Sequence, residues 1–585
     1  MESDPSRGAA LHVLLIHLND DDLSSERVAE LRRDYFPDAE LSVLFGREPR
    51  ETLLNPPAHR QFNFRDLLHH ARVIREVQHL RKKAQAILDH AVHSAGLEGE
   101  ERLLRHFEWQ IFQDLKTKVG LPLIVCSFVL SSDVDEVMII SGKRPLLQSN
   151  VVAALLQANG VRTSVDGERA LVELPNAQAT AQVGSESIPT VSLPGKSGVP
   201  RILIAGVTTR TSLEMILAEL ADLDAPAQIC TALFADLNRT YAVQRSIVTN
   251  NPQLSVLDFP RLSGGPVRDL VAPLSEGIGN AFGEPLKRVL LPLLGISSLG
   301  EKLSIAGRME HELRELVRKL QPALLITGGD QEPQQQTVYA VAAAEKIPLV
   351  LLPSFFDLMS DWQLMQYRYP ADAILLAPSP YLSKAYAQAG HPTELIMDVQ
   401  LKKYAPGSRR EVSLETSARE KYVVFTSQSF FQQSVLILAI AKAMRQLPDW
   451  QFIVRPHPLE RDQLTVSELP DDLRIDAVTP LDQLLQGADA VLTETSTTAY
   501  DAVLADSPII ILNFDNRYYD YNFVREGVAL EVSKESDLVP ALYQVLGDTT
   551  TQAALSEARL RYRTKFGASP GATSVAERLK PLLRR

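Results

Sequence analysis

The chain has 585 residues, with 60 Lys+Arg against 72 Asp+Glu and a formal net charge of −12. At 45% hydrophobic and 23% charged it has the balance of a soluble globular protein rather than a disordered one. Its length suits roughly two to four domains. The acidity argues against nucleic acid as the main partner, because phosphate backbones call for a basic surface. A small phosphorylated ligand in a local basic pocket stays open.

The two cysteines, Cys126 and Cys230, lie in the apolar runs LPLIVCSFVL and AQICTALF, which read as buried strands. Two cysteines build neither a disulfide scaffold nor a four-cysteine zinc site. A reducing cytoplasm is the expected compartment. The N-terminal apolar run lacks the preceding positive charge and following cleavage site of a secretory signal. No apolar stretch reaches the roughly 18–20 residues of a membrane span, so any membrane association would be peripheral.

Elements follow in chain order. Leu11–Leu18 is the first expected strand. Helical spacing of apolar residues fills roughly 65–118, a region rich in His. His90 and His93 stand one turn apart there, but solvated helix-face positions are the stronger reading than a metal site. Strands are expected at Leu121–Leu130 and Val134–Ile140, a helix at 148–158 closed by Gly160, and an extended piece at 161–165. These make an N-terminal α/β and helical module, 1–165. Residues 166–200, rich in Pro, Gly, Ser and Ala, read as a linker.

From 201 strands and helices alternate, which implies parallel sheets covered on both faces. Strands are expected at 201–207, 227–234, 323–327, 348–352 and 373–377, with helices at 212–222, 303–320, 334–346 and 379–389. The alternation restarts after the polar stretch 405–420. Strands at 421–426, 450–455, 490–493 and 508–513 alternate with helices at 431–446, 480–487 and 497–505. The restart predicts two sheets, divided as 201–410 and 411–585. A last helix, 572–583, is expected to pack back across the cleft.

Two motifs carry the chemistry. In QFIVRPHPLE a strand ends in Arg455-Pro456-His457-Pro458. Arg455 and His457 are two residues apart and so point the same way in extended chain. The prolines take the segment out of the sheet at its carboxyl end, where open α/β sheets bind ligands. An Arg and a His there suit phosphate oxygens. In AVLTETSTTAYD a strand runs through Glu494, Thr495, Ser496, Thr497 and Thr498 into a helix. So many hydroxyls at a helix start exceed what one cap needs and suit an anion. Asp501, one turn in, is placed to accept from ribose hydroxyls.

Together these residues, with Asp501-Ala502 and Ser507-Pro508 after them, resemble bacterial surface-polysaccharide transferases of the GT-B fold. The neighbourhood is that of capsule-polysaccharide enzymes, CDP-glycerol glycerophosphotransferases and bacterial sialyl/polysialyltransferases. The likeness covers about 320–530. It implies an α/β, GT-B-like fold: two Rossmann-like domains facing a cleft, plus the N-terminal α/β extension with its long helical segment. It implies an inverting, metal-independent glycosyltransferase without a cofactor. The donor would be a CMP-, CDP- or UDP-linked sugar or glycerophosphate-like group. The acceptor would be a hydroxyl of a surface glycan or glycoconjugate, reached from the periphery of the inner membrane. Arg455, His457, Glu494, Thr495, Ser496, Thr497, Thr498 and Asp501 would hold the nucleotide, and His457 would act on the leaving phosphate.

The chain departs from that pattern in two places. Leu352-Pro353-Ser354 stands where many relatives have Gln-His-Gly, and the acidic-acidic-Gly base motif is matched only in part by Asp166-Gly167. Asp330, after the Gly328-Gly329 turn, is the expected general base, with Asp20, Asp21, Asp357 and Asp361 as other carboxylates near expected strand ends. Two alternatives remain beside the transferase. One is a UDP-N-acetylglucosamine 2-epimerase-like enzyme, although TETSTTAYD lacks the Gly and Glu residues that usually follow its phosphate turn. The other is a degenerate nucleotide-binding module without catalysis.

Overall fold

The computed structural model describes residues 11–17, 25–37, 39–45, 60–63, 70–96, 107–132, 134–140, 149–166, 198–223, 227–235, 241–251, 254–259, 270–294, 299–329, 332–353, 369–402, 421–427, 433–456, 473–494, 498–514, 523–567 and 571–584. Among them, three parallel sheets organise the chain.

The first sheet holds β1 (His12–His17), β2 (Glu40–Phe45), β3 (Arg60–Asn63), β4 (Glu136–Ile140) and β5 (Arg162–Asp166). Its order, β3-β2-β1-β4-β5, is that of a doubly wound sheet, reversing direction between β1 and β4. The helix Ser25–Tyr35 covers one face through Val28 and Leu31. Helices His70–Ser94, Glu108–Leu115, Leu121–Leu130 and Ser149–Ala158 cover the other.

Leu121–Leu130 is therefore a helix, where a strand was expected. It opens on Pro122 in its first turn, where a missing N–H costs nothing. Ile124, Val125, Cys126 and Val129 are buried around it. A helix packed on several sides needs no polar stripe, so a ten-residue apolar run does not separate it from a strand. Cys126 is buried as expected, but in a helix, and burial pushes its thiol up to about 11.

The second sheet contains β6 (Arg201–Ala205), β7 (Gln228–Phe234), β8 (Leu254–Phe259), β9 (Leu324–Thr327), β10 (Leu349–Leu351), β11 (Ile374–Ala377) and β12 (Ile396–Gln400). The third contains β13 (Tyr422–Thr426), β14 (Gln451–Arg455), β15 (Arg474–Ile475), β16 (Ala490–Thr493), β17 (Ile509–Leu512) and β18 (Ala529–Val532). The second runs β8-β7-β6-β9-β10-β11-β12, with β19 (Thr573–Ser574) added beside β12. The third runs β15-β14-β13-β16-β17-β18. Central strands such as β16 and β17 are buried along their whole length, as strands covered on both faces must be. The second and third sheets face one another across a cleft, the arrangement of the GT-B fold.

The two sheets share one apolar core, and aromatic rings join it. Helix Thr549–Phe566 supplies Tyr562 and Phe566, whose ring centroids are 4.2 Å apart. Phe566 meets Tyr381 of helix Pro380–Gln388, beside the second sheet, edge-on at 4.6 Å. Tyr562 meets Phe523 at 5.5 Å and Tyr500 at 6.1 Å, both beside the third sheet. The chain then returns to the second sheet. β19 pairs with β12, and helix Val575–Leu583, opened by a Ser574–Glu577 capping box, buries Val575, Leu579 and Leu583 there.

Between β8 and β9 the chain leaves the second sheet altogether. Helices Val271–Phe282 and Glu284–Leu293 bury Leu274, Ile278, Leu286 and Leu290 in the core of the first sheet. Gly277 allows the contact: a Cβ there would lie 2.9 Å from the carbonyl oxygen of Ile87. His90 takes part in the same junction rather than facing only solvent. Its Nε2 lies 3.3 Å from Glu276 and its Nδ1 3.4 Å from Asn280.

Candidate functional site

In the third sheet the strand order reverses between β13 and β16. Such a switch point leaves a crevice outside the carboxyl ends of the strands, because neighbouring connections depart to opposite faces. The parallel register puts Thr426, the last residue of β13, level with Arg455 on one side and Thr493 on the other. All three are polar or charged ends of apolar strands. The Thr426 hydroxyl donates to the Thr493 hydroxyl at 2.8 Å, both nearly out of solvent, so the hydrogen bond spans the switch point. Ser427 and Glu494, the next residues on each strand, are also buried. Helix Thr498–Ala505 begins beyond Glu494, with Asp501 in its first turn.

Arg455 is mostly buried and is held from the edge of the sheet. Its Nη1 donates to the main-chain carbonyl of Asp476 at 2.9 Å and lies 3.8 Å from that residue's carboxylate. Asp476 follows β15, and its own N–H donates to Val454, which extends the ladder by one step to stand beside Arg455. The Asp476 carboxylate accepts from the N–H groups of Val478 and Thr479, at 3.0 and 2.8 Å, and from the Thr479 hydroxyl at 2.7 Å. Burial acts to raise its pKa, but the Thr479 and Val478 hydrogen bonds and the Arg474 charge outweigh it and hold the carboxyl below its ordinary value. The group is an anion at neutral pH, bonded to its own turn and 3.8 Å from Arg455 Nη1.

The structure thus brings Arg455, Glu494, Thr498 and Asp501 to one end of one sheet. Thr495, Ser496, Thr497 and His457 lie outside the described residues, as do Asp330, Asp20, Asp21, Asp357 and Asp361. Sequence reasoning passed over Thr426, Ser427 and Asp476. The first two carry a signal, the change from apolar to hydroxyl at the end of YVVFTS. Asp476 carries a fainter one, the Asp-x-x-Thr spacing before Pro480 that marks an Asx turn.

The second sheet has its own switch point, between β6 and β9. Gly206, just past β6, has φ +67°, and a Cβ there would lie 2.7 Å from Val338 Cγ2. Past β9, the carbonyls of Gly328 and Gly329 accept from the hydroxyls of Tyr339 and Tyr369, at 3.4 and 3.2 Å. The turn that leads to Asp330 is held by two tyrosines. Among the described residues no three His, Cys, Asp or Glu side chains lie close enough together to hold a metal ion. No described helix is long and apolar enough to cross a membrane.

No protein-family model matches the chain, and no curated protein does. Among solved structures it is similar to the calicheamicin glycosyltransferase CalG4, at a TM-score of 0.43 and 14% identity, over 66% of this chain and 99% of that one. It is similar to the glycosyltransferase SnogD from Streptomyces nogalater, at 0.40 and 16%, over 66% and 99%. A UDP-N-acetylglucosamine 2-epimerase matches at 0.38 and 12%, over 66% and 94%. These likenesses are too distant to assign either activity to the chain.

Proposed function

We propose that the chain is a nucleotide-sugar-dependent glycosyltransferase whose third sheet binds the donor. One observation carries the reading: Thr426, Arg455 and Thr493 stand level at the carboxyl ends of three adjacent strands, across a switch point. A diphosphate there would meet the Arg455 guanidinium and the start of helix Thr498–Ala505. Asp501 would take the ribose hydroxyls.

The leaving nucleotide gains negative charge as the glycosidic bond breaks. Arg455, His457 and the hydroxyls of 495–498 would offset that charge, so the reading is metal-independent. Asp330 would deprotonate the acceptor hydroxyl from the facing sheet, giving inversion in one displacement. The donor is read as a pyrimidine nucleotide (CMP-, CDP- or UDP-linked) and the acceptor as a surface glycan or glycoconjugate. Work on such an acceptor would be done from the cytoplasm, at the membrane periphery.

The test is a thermal-shift panel of CMP, CDP, UDP, GDP and ADP. A ligand at 100 times its Kd adds about 2.7 kcal/mol to stability, a readily measured shift. A pyrimidine nucleotide should raise Tm, and Arg455→Ala should abolish the rise. A panel without a shift removes the reading. Conversion of UDP-N-acetylglucosamine to its 2-epimer without an acceptor would replace it with the epimerase.

A further inference from the structure

We infer that Asp476 is a positioning residue for phosphate recognition: it fixes the Arg455 guanidinium at the switch point of the third sheet. The inference rests on the nucleotide reading above.

An arginine at a strand end carries several rotatable bonds, and ordering such a side chain on binding costs affinity. Here the ordering is done beforehand. The main-chain carbonyl of Asp476 accepts from Arg455 Nη1 at 2.9 Å, and the carboxylate Oδ1 stands 3.8 Å from the same nitrogen. Edge strand β15 supplies both, because its register with β14 runs on from Val454↔Ile475 to set Asp476 beside Arg455. The carboxylate is locked in turn. Oδ1 accepts from Val478 and Thr479 N–H, Oδ2 accepts from the Thr479 hydroxyl, and Arg474 Nη2 lies 3.9 Å from Oδ2. A carboxylate with three donors does not swing away, so it fixes the Asp476 turn, keeps the main-chain carbonyl that anchors Arg455 Nη1 in place, and holds a negative charge 3.8 Å from the guanidinium. A surface ion pair would be of little consequence, but Arg455 and Asp476 are both mostly buried, at 14% and 9% side-chain exposure. The guanidinium offers five donors, so an anchor on Nη1 is compatible with phosphate recognition by the same group.

The chemistry this selects is a phosphate oxygen presented at the end of β14. The sugar and the acceptor do not enter. The effect should therefore fall on nucleotide affinity and travel through Arg455 alone.

The test is a double-mutant cycle on the full chain, reading the Kd of UDP, CDP and CMP by calorimetry. Arg455→Ala should weaken binding by about a hundredfold, and Asp476→Asn by about tenfold. In the Arg455→Ala background, Asp476→Asn should change Kd by less than about twofold, because the group it positions is gone. A general structural role would weaken binding by the same factor in both backgrounds, and that result overturns the inference while leaving the nucleotide site standing. Wild-type chain that binds none of the three nucleotides overturns both. Should Asp476→Asn fail to fold, Thr479→Val runs the same cycle, since it removes one donor to the carboxylate and leaves Arg455 untouched. An equal loss in both backgrounds is again the refuting result.

Discussion

Thr493→Val is the sharpest perturbation of the switch point. The two side chains are nearly the same shape, so packing is kept and one hydroxyl is lost. Thr426 then has its hydroxyl buried, 4% exposed, without the acceptor that stood 2.8 Å away. A buried polar group deprived of its partner costs about 1–3 kcal/mol. Thr426→Val should cost a similar amount. The double variant Thr426→Val/Thr493→Val replaces both hydroxyls by methyl groups and should lie within about 1 kcal/mol of wild type. The two changes are thus expected to be far from additive. For a unit of this size 1 kcal/mol is about 2–4 °C in Tm, which scanning calorimetry resolves. Nucleotide affinity should separate from stability. The double variant recovers Tm but should bind UDP or CDP more weakly, because the hydroxyls themselves are gone. Single variants with wild-type Tm, or a double variant that loses the sum of the two, would refute a hydrogen bond across the switch point.

Phe566→Ala removes the ring between Tyr381 and Tyr562 and should cost about 3–5 kcal/mol by chemical denaturation; a loss below 1 kcal/mol would show that the shared core does not depend on it. Gly277→Ala forces a methyl against the backbone of Ile87 and should cost about 1–3 kcal/mol, with faster proteolysis in 70–96, whereas wild-type protection would separate the 271–293 helices from the first sheet. Asp548 caps helix Thr549–Phe566, and the Thr551 hydroxyl and then the Thr550 N–H hold its carboxyl below the ordinary value. A depressed folded pKa gives stability that is present above the ordinary carboxylate range and is lost as pH falls through the lowered value. Asp548→Ala should therefore flatten the acid limb of the Tm–pH curve, and an unchanged limb would count against the cap. Asp330→Asn should abolish transfer with nucleotide Kd unchanged, while near-native transfer would move the base elsewhere.

Four strands of the third sheet, β13, β14, β16 and β17, were legible because each is a short apolar run closed by polar or Pro residues, as in VVFTS and AVLTE. The same rule misread LPLIVCSFVL, since a helix buried on several sides has no periodic polar face. β15 and Asp476 were illegible for a different reason: a two-residue strand leaves no pattern, and its place comes from pairing with β14. Of the first sheet, β1, β4 and β5 were legible, while β2, β3 and the helices that complete its core were not. Its core is completed by helices 271–293, almost two hundred residues away from His90 in sequence, and no local pattern announces that. Arg455 was legible as a cation at a strand's end, but not the anchor that holds it.

The most direct test of the central claim is a crystal structure of the full chain with UDP or CDP. The diphosphate should lie at the carboxyl ends of β13, β14 and β16, within hydrogen-bond distance of Arg455, with the ribose toward Asp501. A nucleotide seated on the first or second sheet, with the ends of β13 and β16 untouched, would contradict the account.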